Sequence, residues 1–532
     1  MCMMKKHKLL ASFVLLLLST KLLAMPTDYV VMRWSEQAGL SVDYHQIVDL
    51  PANQFVNKVK PAEKSVTLIG HDGTKLWVPI KQFLYTRSEH HGVEHIAGQQ
   101  FLNDELTFVV RVKHGWVKSL LLPDNHSKSS VKYNWQQLLD SAVEKAPQQL
   151  SKAGSSTEDN RINLLFLGDG YTIGQQHIYN QHVDNAVKYM QQFEPYLSYA
   201  DFLSVDRLFI SSPESGADKP ASCFSPSSFA DTTFDASYCT NNIKRLLTVD
   251  YSKVYAAAAG NPNWDEIVVI VNDEEYGGSG GSFPVISTNT LATDVFIHEY
   301  GHSFTHLADE YTSPYPGYSA CSDINGPACE ANVTDVTDRS DLKWNYFIAQ
   351  STPVPTPVDS GYNNLTGLFE GARYLETGMY RPKHVCNMRN LGAEFCNVCR
   401  EAYVLRVYDV NYAAGGKLSL IEPGTQIPVN SSPIGQVSVP MNFSIDTLQP
   451  SHDLQIIWFV DNVPQSSVNS STVTQSFVLT PNQVGTVSVK VQVKDNSPMV
   501  HNSRHNELPI FEHEWTLNVQ PFENYILKDG FE

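Results

Sequence analysis

Polar and apolar residues alternate over the first part of the chain. Between about residues 28 and 122, short segments such as 66–69 and 106–112 follow this pattern, and turn residues such as those at 71–73 separate them. A period of two is typical of strands with one buried face. We therefore expect an N-terminal antiparallel β domain over residues 25–123.

The pattern then changes. Residues 124–160 are polar and poor in β-branched residues, which predicts a linker. The continuous apolar run 162–167 predicts a buried strand, residues 175–193 have helix-spaced apolar positions, and 267–271 predicts another buried strand. Strands that alternate with helices predict a central α/β domain, which we place at residues 161–412.

Alternating segments return after residue 418. Three of them, at 437–439, 454–460 and 487–493, are separated by stretches rich in Asn, Ser, Pro and Gly. They predict a C-terminal, Ig-like β-sandwich over residues 418–522. Residues 523–532 form a tail to which the sequence assigns no role.

The first 24 residues have the layout of a secretory signal peptide. Basic residues at 5–8 precede a mainly apolar run at 9–18, and Ala24 ends the segment. This run is too short for a membrane span, which needs about 20 residues, and no later stretch is long enough. We expect a secreted protein without a transmembrane segment, located in the medium, in the periplasm or at the cell surface.

The charge balance narrows the choice of partners. The 532 residues include 38 Lys and Arg against 56 Asp and Glu, which gives a formal net charge of −18. So acidic a chain is poorly suited to binding phosphate backbones, and nucleic acid is not an expected partner.

The stretch 292–311 contains an HExxH motif within a predicted helix. His298 and His302 are four residues apart, so their imidazoles lie about 40° apart on adjacent turns and can bind one metal ion. Glu299 points about 100° away from His298, toward the side where a zinc-bound water would lie. A carboxylate there can act as general base and then as general acid in hydrolysis. The alternative interpretation is a pair of surface histidines on an amphipathic helix.

A catalytic zinc ion usually has three protein ligands, and Asp309 is the first candidate for the third. On a straight helix Asp309 would lie about 16 Å beyond His298 along the axis, so the chain must leave the helix after His302 and fold back. Metzincin-type peptidases use a glycine for that turn, whereas residues 303–308 contain none. Their third ligand would also fall one residue earlier, at an alanine. Glu310, or a carboxylate farther downstream, remains an alternative.

These residues resemble a known family. The segment 298–302 (HEYGH), followed by 307–311 (LADEY), resembles the HExGH…DEY motif of the IgA-peptidase family of bacterial zinc metallopeptidases. Residues 164–172 resemble the first core strand and turn of that family, and 380–389 with 395–400 resemble its closing segment.

The resemblance implies a metzincin-like zincin fold for the central domain. It also implies one catalytic Zn²⁺ on His298 and His302, with Asp309 as the first candidate for the third ligand, and a protein or peptide substrate. In metzincin-like enzymes a methionine in a tight turn lies beneath the metal, which nominates Met388; the alternative is an ordinary core methionine. The family name does not make IgA the substrate, because specificity depends on loops and pockets.

Seven cysteines follow residue 24, and in an exported protein such residues usually form disulfides. The closing segment allows a second interpretation, because His384 and three cysteines with a Cys-x-x-Cys spacing could form a structural zinc site. The expected disulfides are Cys223 with Cys239, Cys321 with Cys329, and Cys386 with either Cys396 or Cys399.

Three further features bear on a site. The Gly- and Ser-rich segment 277–282 predicts either a mobile rim where a substrate backbone pairs with an exposed sheet edge, or an ordinary surface loop. Tyr311 and Tyr380 are candidates to stabilise an oxyanion, with simple packing as the alternative. The acid-rich segments 273–275 and 323–341 could bind calcium, although they lack EF-hand spacing.

Together these features predict a secreted zinc-dependent endopeptidase that hydrolyses peptide bonds of extracellular proteins. Two other hypotheses remain: a non-catalytic adhesion or binding protein on a zincin fold, and a zinc hydrolase of a non-peptide amide. The intact Glu299 argues against a binding protein, which needs no general base. The C-terminal sandwich is expected to bind substrate, glycan or a surface.

Overall fold

The computed structural model describes most of the chain outside the two ends. The expected signal peptide, apart from Ala24, and the expected tail lie outside the described residues. None of the described helices is long and apolar enough to cross a membrane. The described ranges are 24–35, 39–51, 65–79, 105–123, 130–142, 160–313, 329–409 and 418–522.

The described residues of the N-terminal part form two antiparallel sheets, as the alternating pattern predicts, and a short helix, which it does not predict. One sheet has the strand order β2-β1-β5 and the other has the order β4-β3-β6-β7. Apolar side chains such as Val30 and Leu120 form the core of this part. The elements are β1 (Ala24–Ser35), β2 (Gly39–Pro51), β3 (Ser65–Gly70), β4 (Lys75–Pro79), β5 (Glu105–Lys113), β6 (Val117–Pro123), β7 (Ser130–Asn134) and α1 (Trp135–Asp140).

The boundary of this part differs from the prediction. Strand β7 pairs with β6, and helix α1 follows it directly, so both lie within the expected linker 124–160. Asn134 caps α1 by accepting a hydrogen bond from the backbone N–H of Gln137. Polar composition alone suggested a linker, but pairing with β6 and burial of Trp135 order this segment.

The central part is built on one five-stranded sheet with helices on both faces. Its strand order is β11-β12-β10-β8-β9, with β8, β9, β10 and β12 parallel and β11 antiparallel at the edge. The elements are β8 (Ile162–Asp169), α2 (Gln176–Met190), β9 (Leu203–Leu208), α3 (Tyr251–Ala258), β10 (Glu266–Val271), β11 (Gly278–Ser279), β12 (Val285–Ile286), α4 (Ala292–Ser303), β13 (Phe369–Ala372), β14 (Leu375–Arg381) and α5 (Asn397–Asp409).

Strands β8 and β10 are buried along their whole length, as expected for the centre of an α/β sheet. Alternate side chains face opposite layers. Phe166 and Ile270 pack with the cluster that contains α2 and α4, whereas Leu167 and Val269 pack with α3 and the sheet of β1. The N-terminal part therefore covers one face of the central sheet, and α4 lies on the other.

The contact with the N-terminal part is specific as well as apolar. The Tyr29 hydroxyl on β1 donates to the carbonyl of Tyr255 on α3 at 2.9 Å. The Arg111 guanidinium donates to the carbonyl of Trp264 at 2.9 Å and lies over its indole ring, 4.1 Å from the centroid. Arg111 is buried in this interface, and burial lowers the pKa of its guanidinium.

The C-terminal part consists of a five-stranded sheet and a two-stranded sheet. Their orders are β15-β21-β20-β17-β18 and β16-β19. Trp458 of the larger sheet stacks on Phe477 of the smaller one, so the two sheets face each other across an aromatic core. The strands are β15 (Ile434–Gln436), β16 (Met441–Asp446), β17 (Leu454–Val460), β18 (Val463–Ser470), β19 (Thr474–Leu479), β20 (Gly485–Asp495) and β21 (Ile510–Gln520).

A buried carboxylate joins the C-terminal part to the central one. Asp495, at the end of β20, accepts hydrogen bonds from the hydroxyls of Tyr199 and Tyr408 at 2.6 and 2.7 Å. His452 contacts the other carboxylate oxygen at 2.7 Å. Burial, together with the nearby Asp495, holds the pKa of both tyrosines well above the usual value.

Candidate metal centre and active site

Helix α4 carries the HExxH motif inside the core. Its residues His298, Glu299 and His302 are all buried. Phe296 packs edge-on against Phe166 of β8, with ring centroids 5.8 Å apart, which fixes the helix on the sheet. The alternative of two surface histidines is therefore wrong, since both imidazoles are enclosed.

The chain reverses just after α4 without a glycine. His306 adopts a left-handed backbone conformation, with φ of 57°, and its side chain is exposed. The N–H groups of His306 and Leu307 donate to the carbonyls of His302 and Gly301, each at 3.1 Å. The last carbonyls of the helix are thereby satisfied while the chain turns back.

This reversal brings the carboxylate of Asp309 to the two histidines. Asp309 Oδ1 lies 3.1 Å from His298 Nε2 and 3.3 Å from His302 Nε2. The two Nε2 atoms are themselves 3.1 Å apart. A tetrahedral zinc ion with ligand distances of ~2.0–2.1 Å would separate its ligand atoms by about 3.3–3.4 Å, so the three atoms surround a space of suitable size.

The other imidazole nitrogens define the state of these histidines. His298 Nδ1 donates to the carbonyl of Asn387 at 3.1 Å, and His302 Nδ1 donates to the carbonyl of Leu307 at 2.6 Å. Because a carbonyl only accepts, each Nδ1 carries a proton, and Nε2 is the ring nitrogen that faces Asp309 and is placed to bind a metal. Two such nitrogens and a carboxylate oxygen that converge on one point fit a bound cation.

Asp309 is held in its ionised form. Burial raises its pKa, but the facing His302 and His298 outweigh burial and lower the pKa to about 2. The second carboxylate oxygen, Oδ2, accepts a hydrogen bond from the hydroxyl of Tyr374. Tyr374 stands in the turn between β13 and β14, where its φ is 63°, and its N–H donates to the carbonyl of Tyr311 at 2.8 Å.

Asn332 clamps the segment that bears Asp309. Its side chain accepts from the N–H of Ala308 at 2.8 Å and donates to the carbonyl of Ala308 at 2.9 Å. It also donates to Glu310 Oε1 at 3.0 Å. Sequence reasoning missed Asn332 and Tyr374, because neither belongs to a motif and both act from segments distant in sequence.

Met388 packs beneath the motif helix. It is fully buried, and a Cβ atom built on Gly301 would lie 3.0 Å from its sulfur. Its carbonyl accepts a hydrogen bond from the N–H of Glu310 at 2.8 Å. Gly301 therefore leaves the space that Met388 fills, next to His302.

The two candidate tyrosines have different surroundings. The Tyr311 ring lies beside the His298 ring, with centroids 6.0 Å apart. Tyr380 instead pairs with Glu370 across the β13–β14 hairpin, and burial together with Glu370 raises the pKa of Tyr380. Only Tyr311 is thus brought to the metal-ligand residues by the contacts of the described chain.

Segment 277–282 is neither an exposed rim nor a loose loop. It contains β11, and a Cβ on Gly278 would lie 2.8 Å from a methyl group of Val295 on α4. The N–H of Gly278 donates to the carbonyl of Arg245 at 3.2 Å, so this edge is already paired there. Its Gly-rich composition reflects close packing and not exposure.

Two of the three acids in segment 273–275 form ion pairs with lysines. Asp273 pairs with Lys219 at 2.8 Å and Glu275 pairs with Lys244 at 3.1 Å. Within the described residues, these acids are not part of a group with metal-binding geometry. Residues 323–328 of the second acid-rich segment lie outside the described chain.

The cysteine predictions have mixed outcomes. Cys223 and Cys239 form the expected disulfide. Cys329 is disulfide-bonded, and its expected partner Cys321 lies outside the described residues, so that pairing stays a prediction. The disulfide expected from Cys386 is not formed, because all three cysteines of the closing segment, Cys386, Cys396 and Cys399, are free and buried.

Comparison with known proteins identifies the central part. Residues 149–364 and 359–407 match the family model described as IgA Peptidase M64. Through this region the chain belongs to the IgA peptidase family M64, a family of peptidases, as the motif resemblance implied. No curated protein matches the chain.

Similarities to solved structures are weak. The CARDB domain of the PF1109 protein from Pyrococcus furiosus, in complex with di-metal ions, has 13% identity and a TM-score of 0.13, and the match covers 17% of this chain and 87% of that one. A calcium-binding mutant of Bacteroides uniformis β-glucuronidase 2 has 9% identity and a TM-score of 0.16, with coverage of 94% and 58%. Neither likeness supports an argument about fold or function.

Proposed function

We propose that the protein is a secreted zinc-dependent endopeptidase that hydrolyses peptide bonds of extracellular proteins. The observation that carries this proposal is the convergence of His298 Nε2, His302 Nε2 and Asp309 Oδ1 within 3.1–3.3 Å of one another, beside the buried Glu299. Two imidazoles and one carboxylate are a ligand set that suits zinc and leaves a fourth coordination position open. Membership of a peptidase family supports the same reaction.

His298, His302 and Asp309 would hold the zinc ion, which would supply Lewis acidity that lowers the pKa of a water molecule toward ~7 and polarises the scissile carbonyl. Glu299 follows His298 directly on α4, so it projects about 100° from that ligand. Its carboxylate takes a proton from the attacking water and later donates that proton to the leaving amine nitrogen. His298, His302 and Asp309 hold the metal throughout.

Two neighbouring residues support these groups. Tyr311, whose ring lies beside that of His298, is the candidate to donate a hydrogen bond from its hydroxyl to the oxyanion that forms during attack. Met388, which packs on Gly301, is the candidate for the methionine that lies beneath the metal in metzincin-like zincins. Tyr380 is left with a structural role in its hairpin.

Secretion is supported by two features. Residues 1–24 have the pattern of a signal peptide, and the disulfide Cys223–Cys239 is of the kind that persists in oxidising compartments. The role expected for the C-terminal sandwich, in binding substrate, glycan or a surface, stays a prediction.

Substitution of one proposed ligand, with substitution of a histidine distant from the site as a control, tests the metal site. We expect His302→Ala to lose one zinc ion per chain and at least 10³-fold of its activity on a denatured protein substrate. His177→Ala is the control, because His177 is exposed on α2; its zinc content and activity should equal those of the wild type. Metal content is measured by inductively coupled plasma mass spectrometry.

Product analysis separates this proposal from its rivals. New peptide amino termini, identified by mass spectrometry, would establish peptide-bond hydrolysis. A wild-type protein that retains zinc but cleaves no protein substrate would contradict the proposal, and would favour a binding protein or a hydrolase of another amide.

A further inference from the structure

A second cluster of metal-ligand side chains begins one residue after Asp309. The carboxylate of Glu310 and the thiols of Cys386, Cys396 and Cys399 place one ligand atom each within 4.8 Å of one another. All four residues are buried. This cluster lies outside the site described above, which contains no sulfur ligand.

The sulfur positions fit a metal and not a disulfide. Cys399 Sγ lies 3.6 Å from Cys386 Sγ and 3.5 Å from Cys396 Sγ. A disulfide needs about 2.05 Å between sulfurs. Four ligands at ~2.3 Å from a tetrahedral zinc ion would place sulfurs about 3.8 Å apart, close to the spacing found here.

Glu310 supplies independent evidence for a cation. Its Oε1 accepts a hydrogen bond from Asn332, whereas its buried Oε2 has no hydrogen-bond partner. An unpartnered carboxylate oxygen in the protein interior carries a large desolvation cost unless a cation compensates it. The other members of the cluster are the three thiols. A metal ion bound by the thiols would also bind the carboxylate of Glu310.

The N-terminus of α5 lies at this cluster. Cys396 directly precedes α5 and Cys399 lies in its first turn, where the helix dipole stabilises negative charge. The N–H of Cys396 also donates to Cys386 Sγ at 3.3 Å. Such N–H···S contacts orient a thiolate toward a metal, as other outer-shell contacts do.

Nearby cations balance the remaining charge. Three thiolates and a carboxylate around a divalent ion leave two formal negative charges. The guanidinium groups of Arg381 and Arg389 both interact with Glu310 electrostatically, and each retains a buried nitrogen without a hydrogen-bond partner. Two arginines thus match the two charges left over.

We propose that Glu310, Cys386, Cys396 and Cys399 bind a second, structural zinc ion. Thiolate ligands favour zinc over hard cations, and four protein ligands close the coordination sphere. His384, which the sequence suggested as a ligand, lies near Phe369, with ring centroids 6.1 Å apart, and Glu310 takes the fourth position. The ion would fix Glu310, and with it the neighbouring Asp309 of the first site.

Cobalt replacement tests this site without reference to catalysis. The purified full chain is stripped with a chelator under non-reducing conditions and titrated with Co²⁺. We expect two ions per chain, with thiolate-to-cobalt charge-transfer absorption in the near ultraviolet. The double variant His298→Ala/His302→Ala should retain this absorption and bind one ion. Failure of the proposed catalytic site can therefore be distinguished from failure of the cysteine site. Cys396→Ser/Cys399→Ser should lose the absorption.

A matched control and a second measurement guard against misfolded variants. Cys223→Ser/Cys239→Ser removes two cysteines elsewhere and should keep the absorption. In the wild type, alkylation after denaturation with chelator but without reductant should label all three cysteines of the closing segment. A wild-type protein without the thiolate-to-cobalt absorption, or with a single labelled cysteine in that segment, would overturn the proposal in favour of a disulfide.

Discussion

Asp309 and Glu310 are consecutive in the chain, yet their carboxylates belong to two different buried clusters. Asp309 Oδ1 lies 3.1 Å from His298 Nε2, while Glu310 groups with three cysteines. Asn332 holds the segment that contains both residues. Its side chain accepts a hydrogen bond from the N–H of Ala308 and donates one to the carboxylate of Glu310. A substitution in either cluster should therefore affect the other, because a single peptide unit joins Asp309 to Glu310.

The hydrogen bond from Tyr374 to Asp309 should tune metal affinity. Tyr374→Phe removes the hydroxyl that orients Asp309, and outer-shell changes of this kind typically cost about 10–100-fold in metal affinity. Competition with a chromogenic chelator measures the change. Tyr380→Phe, in the next strand of the same hairpin but facing Glu370, is the control and should retain wild-type affinity. Equal affinities of the two variants would refute an orienting role for Tyr374.

The contact between Gly301 and Met388 should limit the size of residue 301. Gly301→Ala relieves a helix penalty of about 1 kcal/mol but places a Cβ 3.0 Å from the Met388 sulfur, and overpacking typically costs about 1–3 kcal/mol. We expect a net loss of stability of up to about 2 kcal/mol, measured by urea unfolding.

A double-mutant cycle checks the origin of that loss. In a Met388→Ala background the penalty of Gly301→Ala should fall by at least about 0.5 kcal/mol, since the two side chains no longer collide. Gly174→Ala is the control, because a Cβ there meets no atom within 4 Å. If Gly301→Ala costs as much stability in the Met388→Ala background as in the wild type, the contact with Met388 does not cause the loss.

Asp28 should make the N-terminal part sensitive to acid. Burial raises the pKa of this carboxyl, but hydrogen bonds from His45 and His114, at 3.0 and 2.8 Å, outweigh burial and lower it below 3.8. The folded pKa is thus below the unfolded one. The stabilisation is therefore fully present above the unfolded pKa and is lost as pH falls through the folded pKa.

Asp28→Asn tests this dependence. Charged hydrogen bonds contribute about 1.5–3 kcal/mol, so we expect a loss of that order at pH 5 and a much smaller difference from the wild type at pH 2–3. Asp49→Asn, which alters an exposed residue of β2, serves as the control and should have little effect at either pH. A difference for Asp28→Asn that is independent of pH would contradict the assignment.

Local patterns predicted the elements that carry the first site. The continuous apolar run of β8 and the HExxH helix α4 follow from residues within one segment, and both are present. The reversal after α4 was required by the length of a straight helix, but its form was not predictable, because His306 takes a left-handed conformation usually left to glycine.

Features assembled from distant segments were not predictable in the same way. Glu310 and Cys399 meet only because the closing segment packs against the turn after α4, whereas the local sequence suggested His384 and a disulfide. Segment 277–282 has the composition of a loop, yet close packing against Val295 places it in the sheet. In both cases tertiary contacts outweigh local composition.

The most direct test of the central claim compares the wild type with Glu299→Gln. The amide keeps the shape of Glu299 but cannot accept the proton of the attacking water, so we predict unchanged zinc content and a loss of at least 10³-fold in cleavage of a denatured protein. Glu376→Gln, at an exposed position of β14, should leave both quantities unchanged. Cleavage by Glu299→Gln at the wild-type rate, with zinc retained, would contradict the account.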